Sequence, residues 1–238
     1  MTEGLEQRLE AVLREPALRR LGLDFLVESA RRRYSYNFTW LGRPIIQYPQ
    51  DIVAVQELIW SVRPRLIIET GIAHGGSLIL SASLLELIGE GEVLGVDVEI
   101  RPHNRVAIEQ HPLSHRITMI EGSSTDDAVA ARVRAFAAGK TPVMLFLDSS
   151  HSHEHVLREL QLYSPLVTKG SYAVVFDTVV EEMPPDFFPD RPWGKGNNPR
   201  TAVEQFLATN DRFVVDRAID AKLLITVAPG GYLRCMRD

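Results

Sequence analysis

Apolar runs in the middle of the chain end, one after another, in a carboxylate. Glu69 follows RLII, Asp97 follows EVLGV, Glu121 follows ITMI, Asp148 follows PVMLFL and Asp177 follows SYAVVF. Carboxylates in such places can accept ribose hydroxyls, hold a hard divalent cation or draw in a positively charged ligand. Between the first two lies ETGIAHGGS, Glu69 to Ser77. Its Gly71, Gly75 and Gly76 let backbone approach a ligand closely and let a helix start tightly behind the turn. The spacing is not GxGxxG: Ile72 and Ala73 follow Gly71, so the second pyrophosphate-contacting glycine of a dinucleotide turn is missing. GxxxxGK[ST] is absent as well.

That combination narrows the ligand. Gly71 and Gly75, with Asp97 placed to accept both hydroxyls of a ribose, fit an adenosine cofactor. An edge carrying Glu69, Asp97, Asp148 and Asp177 repels a diphosphate and attracts the sulfonium of S-adenosylmethionine. His151, three residues after Asp148, has an imidazole that titrates near neutral pH and suits the base of a hydroxyl deprotonation. His153 and His155 compete with it, although His155 and Glu159 stand four apart and can simply pair on a helix. HSHEH could also supply a two-histidine, one-carboxylate iron set with Asp148 or Glu159. Such sets sit on a cupin-like β barrel, which this chain cannot build.

The reason lies in the elements that carry these residues. The five apolar runs alternate with SLILSASLLELIG, NRVAIEQHP, DDAVAARVRAFAAG and HEHVLRELQLYSPLV, all of helical character. Runs rich in Val, Ile and Leu separated by helices predict parallel strands buried on both faces, in a doubly wound α/β sheet. Such a sheet binds its ligand outside the carboxyl ends of its strands, where the carboxylates fall. Ahead of it, Leu5, Leu9, Val12 and Leu13, then Leu18, Leu21, Phe25 and Leu26, recur at helical spacing on either side of Pro16. An irregular aromatic stretch, YSYNFTWLGRPIIQYPQD, follows, and Asp51 reads as the N-cap of DIVAVQELIWSVR. After Asp177 the rhythm breaks into VVEEMPPDFFPDRPWGKGNNP, too long for a mere connection. Its Phe187, Phe188 and Trp193, with Tyr34, Tyr36, Phe38, Trp40 and Tyr48, suit stacking on a sugar or ring system, or an oligomer contact. A helix, PRTAVEQFLATN, then RFVVD and LLITVAPGGYLRCM close the chain, the last as one strand or a pair.

Composition removes several classes of function. With 238 residues, 45% hydrophobic, 24% charged and a net charge of −5, the chain has no electrostatic reason to bind nucleic acid or an anionic membrane. One cysteine, Cys235, excludes an internal disulfide and a thiolate metal cluster. MTEGLEQRLEAVL lacks the apolar core of a signal peptide, and no apolar run reaches membrane-span length. The expectation is a cytoplasmic protein.

From about Trp40 onwards, WLGRPIIQYPQD, IETGIAHGGS, GVDVEIRPHN, IEGSS, LDSSHSHEHVLREL, RPWGKGNNPRTAV and LLITVAPGGYL resemble the cephalosporin hydroxylase-like family. Despite that name, its members resemble class I S-adenosylmethionine-dependent methyltransferases, with rhamnosyl and macrolide-sugar O-methyltransferases among the relatives. The resemblance implies a Rossmann-like seven-stranded sheet with its last strand antiparallel, and methyl transfer to a hydroxyl of a sugar or natural product. It implies that Glu69, Gly71, Gly75, Ser77, Asp97, Ser123 and Asp148 surround the cofactor, and that Asp148 and His151 do the chemistry. Where the family usually has Glu-Asp at the fifth strand, this chain has Phe176-Asp177. Asp148 and Asp177 are then left to hold Mg²⁺, unless a general base works alone. The corresponding division is residues 1–50 as helices and aromatic lid and 51–238 as the catalytic domain, with 179–198 as a substrate lid. A homo-oligomer acting on a small hydroxylated molecule is expected. A non-catalytic binding subunit of a biosynthetic complex and an NAD or nucleotide-sugar oxidoreductase are the competing readings.

Overall fold

The computed structural model describes residues 3–238. Helices α1 (Glu3–Leu13) and α2 (Pro16–Ala30) lead, then a two-stranded hairpin of β1 (Thr39–Trp40) and β2 (Arg43–Pro44), then α3 (Pro49–Val62). The alternating part runs β3 (Leu66–Thr70), α4 (Gly76–Ile88), β4 (Glu92–Asp97), α5 (Pro102–Glu109), β5 (Ile117–Glu121), α6 (Asp127–Ala137), β6 (Val143–Leu147), α7 (His153–Tyr163) and β7 (Tyr172–Val175). After the insert come α8 (Pro199–Thr209), β8 (Phe213–Val215), α9 (Arg217–Leu223) and β9 (Tyr232–Cys235).

Seven strands form one sheet in the order β5-β4-β3-β6-β7-β9-β8. β3 to β7 are parallel, and β9 runs antiparallel between β7 and β8. The class I methyltransferase sheet implied by the sequence resemblance is therefore present. β3 and β6 are buried at every residue, because helices cover both faces. One core layer packs α6, α7 and α8 against Ile68, Leu94 and Leu145; the other packs α3 and α4 against Ile67, Val93 and Met144. The chain visits β4 and β5 on one side of β3, then crosses to β6 and β7 on the other. That reversal opens the crevice between β3 and β6. Their register pairs Thr70 with Leu147, so Gly71 and Asp148 leave the sheet side by side.

Three local expectations are corrected. Asp51 is not a helix cap: α3 starts at Pro49 with Tyr48 as N-cap, and Asp51 is fully buried one turn in. It accepts hydrogen bonds from the Thr226 hydroxyl, from Val227 N at 3.0 Å and from the Tyr232 hydroxyl at 2.8 Å, tying α3 to the carboxyl-terminal segment. Burial pushes its carboxyl up to about 6 against the pull of those donors. LLIT is not a strand, since α9 takes Leu223 and strand structure resumes only at Tyr232. The apolar stripe of α2 buries Leu26 alone among its predicted members; Leu21 is 65% and Phe25 45% exposed. Among the described residues, no helix is long and apolar enough to cross a membrane.

The Asp51 junction yields a stability prediction. Asp51→Ala strips two buried hydroxyl donors and one half-buried amide of their acceptor, and urea unfolding should show a loss of about 3 kcal/mol. A change below about 0.5 kcal/mol would mean that the junction contributes little.

Candidate active site

Gly71 adopts φ +90°, and a Cβ there would lie 2.0 Å from the Asp148 carbonyl oxygen, so only glycine lets β3 turn away beside β6. Gly75 has φ +82°, and a Cβ there would collide with the Ile108 side chain. Asp97 Oδ2 accepts from Ile72 N at 2.7 Å and Ala73 N at 3.3 Å, while Oδ1 accepts from Glu99 N at 3.2 Å. Asp97 thus clamps the glycine turn, and a ribose would share a carboxylate already bonded to backbone. Arg43 and Asn104, which the sequence did not single out, hold the other side. Arg43 donates to the His74 carbonyl at 2.6 Å and to Asn104 Oδ1 at 2.9 Å; Asn104 donates to the Ala73 carbonyl at 2.9 Å. The signal for Arg43 was present in the aromatic stretch as an arginine between Gly42 and Pro44, but only the fold shows what it reaches.

Beneath the turn, Glu69 is 2% exposed and takes a hydrogen bond from the Ser77 hydroxyl. Its other oxygen has no partner among the described residues. Burial raises its carboxyl to about 8, against the lowering effect of Ser77. Ser123 bonds instead to Thr125 Oγ1 at 2.9 Å, on the loop after β5.

A groove of about 40 Å³ runs along Gly71, Ala73, Gly76, Ser77 and Asp148. A larger cavity of about 450 Å³ opens beside it, walled by the insert and the entry loop through Tyr36, Tyr48, Phe187, Phe188 and Trp193. Ile46, Gln47, Ala73 and Asp148 line both, so the two meet at the end of β6. Tyr34 packs instead on Phe25, Phe38 and Tyr48, and Trp40 donates to Ser83 Oγ on α4 at 3.0 Å.

Asp148, His151 and Asp177 gather on the cavity floor, each offering a ligand atom within 4.8 Å of the other two. His151 Nε2 lies 3.3 Å from Asp177 Oδ2, and its ring meets Trp193 edge-on at 5.0 Å. Desolvation, then the charges of Asp177, Glu69, Glu159 and Asp51, push the Asp148 carboxyl well above the usual range. The competing histidines are engaged elsewhere. His153 contacts Thr201 and Gln205 on α8, both at 2.8 Å; His155 contacts Ser124, Ser149 and the buried Glu159. Phe176 is buried against Phe146 with ring centroids 6.2 Å apart, so the position beside Asp177 is hydrocarbon. Two carboxylates and an imidazole converging at this spacing suit a divalent cation.

The rhamnosyl O-methyltransferase/CmcI family model matches residues 32–236. A rhamnosyl O-methyltransferase of Mycobacterium tuberculosis is 32% identical over 225 residues, covering 88% of this chain and 85% of that one. Its Mycobacterium leprae counterpart is 31% identical over 221 residues, covering 88% and 90%. Among solved structures, apo CmcI superimposes with a TM-score of 0.61 at 20% identity, over 85% of this chain and 78% of that one. CmcI with Mg and SAM gives 0.58 at 19%, over 84% and 77%.

Glu69 makes stability depend on pH. A folded-state value of about 8 against an unfolded 4.5 means that its contribution is complete below pH 4.5 and is lost as pH rises through 8. Chemical denaturation at pH 6 and pH 9 should show a decline that Glu69→Gln flattens. An unchanged decline in Glu69→Gln would show that this carboxyl is already ionised at neutral pH.

Proposed function

The chain belongs to the rhamnosyl O-methyltransferase/CmcI family and is an S-adenosylmethionine-dependent methyltransferase, and we propose that it methylates a hydroxyl of a sugar or sugar-bearing natural product. The observation that carries the substrate reading is the meeting of groove and cavity at Asp148. One compartment is narrow and backbone-lined; the other is wide, aromatic and acidic at its floor. Bound in the groove, S-adenosylmethionine supplies a methyl group on a sulfonium, which an acceptor oxygen takes with release of the thioether and a proton.

The chain's own residues do the rest. The Asp97 clamp keeps the turn's backbone shaped for the cofactor, and Glu69 and Asp148 place carboxyl groups under it that can ionise to face a cation. Ser123 stands on the neighbouring strand-end loop, where it can contact the same cofactor. Asp148, His151 and Asp177 hold the acceptor hydroxyl and draw off its proton, and a divalent cation held there would polarise that oxygen. Trp193, Phe187 and Phe188 flank the acceptor with flat surfaces and exclude water, so residues 179–198 act as the substrate lid. Alignment of oxygen, methyl carbon and sulfur is then the main catalytic contribution. The unburied stripe of α2 supports a homo-oligomer.

The test is incubation of the protein with S-adenosylmethionine and a panel of rhamnosides, followed by mass spectrometry. The expected product gains one CH₂ with stoichiometric S-adenosylhomocysteine, and Asp148→Asn lowers the rate by at least about a hundredfold. Cofactor binding without product across sugar, phenol and macrolide acceptors would favour the binding-subunit reading instead.

A further inference from the structure

The donor set on the cavity floor has a composition that bears on which ion it takes. Asp148 and Asp177 contribute oxygens, and His151 contributes nitrogen; all three come within 4.8 Å of one another. The Asp148 carboxylate receives no hydrogen bond or ion pair from any described side chain, although it opens onto both groove and cavity. Asp177 finds only His151. No lysine or arginine is paired with either carboxylate among the described residues. Phe176 stands beside Asp177 with its ring against Phe146, and Glu69, which shares a small pocket with Asp148, is engaged by Ser77 and lies outside the converging trio. The His151 ring is fixed in orientation, its Nε2 turned to Asp177 and its edge set against Trp193.

We propose that Asp148, His151 and Asp177 form an O₂N site that takes a first-row transition cation, of the Mn²⁺ or Co²⁺ type, in preference to Mg²⁺, with His151 Nε2 as a ligand. Mg²⁺ is a hard ion that favours oxygen and gives up its water reluctantly, whereas imidazole suits first-row transition ions. A nitrogen in a set of only three protein donors therefore moves selectivity away from Mg²⁺. The ion acts as a Lewis acid and a template for the acceptor oxygen, with no redox step. This assignment rests on the methyltransferase reading of the site and gives His151 a ligand's place rather than that of a free base.

Mn²⁺ is the probe. Metal-stripped protein is titrated with Mn²⁺ and with Mg²⁺ by calorimetry, and the Mn²⁺ form is examined by electron spin-echo spectroscopy. The expected results are one Mn²⁺ per chain, held at least about tenfold more tightly than Mg²⁺, and ligand-nitrogen modulation in the spectrum. His151→Ala should abolish the modulation, and Phe176→Glu should narrow the preference by adding an oxygen. Mn²⁺ bound without nitrogen modulation, equal affinity for Mg²⁺, or no binding of either ion overturns the assignment. The wild-type spectrum decides even if a variant fails to fold. S-adenosylmethionine titrated into the same metal-stripped samples tests the methyltransferase reading separately, because its groove does not need the ion.

Discussion

A row of carboxyl groups without basic partners at one edge of the sheet is the constraint on which this structure turns. Glu69, Asp97, Asp148 and Asp177 follow from four neighbouring parallel strands, and none is paired with a lysine or arginine among the described residues. Parallel strands that all point the same way deliver their carboxyl ends to one rim, so the arrangement is a consequence of topology. Held close in a low-dielectric setting, such carboxylates repel one another. Burial raises the Glu69 carboxyl, and burial followed by the charges of Asp177, Glu69, Glu159 and Asp51 raises that of Asp148. A cation relieves that repulsion, and a diphosphate worsens it. The same row of carboxyl groups therefore favours a cationic ligand over a diphosphate.

Backbone geometry converts this field into a site. Because β3 and β6 are adjacent in register, the turn after β3 must pass within contact of the Asp148 carbonyl, and Gly71 is the only residue type that fits there. Asp97, Arg43 and Asn104 then fix the turn from two sides with bonds to its amides and carbonyls. The groove side is held by these hydrogen bonds, whereas the cavity side is built largely from the irregular insert and entry loop. That division suits a reaction whose donor is constant and whose acceptor varies between relatives.

Much of this was legible in the residues. Hydrophobic runs of five or six alternating with helical patterns fixed the sheet, and the carboxylates at their ends marked the rim. What was not legible depended on long-range contact. Asp51 followed by an amphipathic run looks like a cap, yet its partners Thr226 and Tyr232 lie more than 170 positions away. LLIT has strand composition, but α9, capped by Asp216, runs up to Leu223, and Leu224 to Thr226 form neither helix nor strand. Of the histidines in HSHEH, spacing paired His155 with Glu159, as the structure has it, but left His153 in competition with His151. Only the fold turns His151 to the cavity while α8 engages His153 and Glu159 engages His155. Phe176 could be seen as a departure from the family's usual acidic pair. That it leaves an imidazole as the third donor required coordinates.

The most direct test of the charge argument is calorimetric titration of S-adenosylmethionine near pH 7 in two buffers of different ionisation enthalpy, with NAD as comparison. Glu69, protonated at that pH in the free protein, should lose its proton to face the cation. The account therefore predicts saturable binding of the methyl donor with proton release, and no binding of NAD. Saturable NAD binding, or uptake of the methyl donor with no proton released, would contradict it.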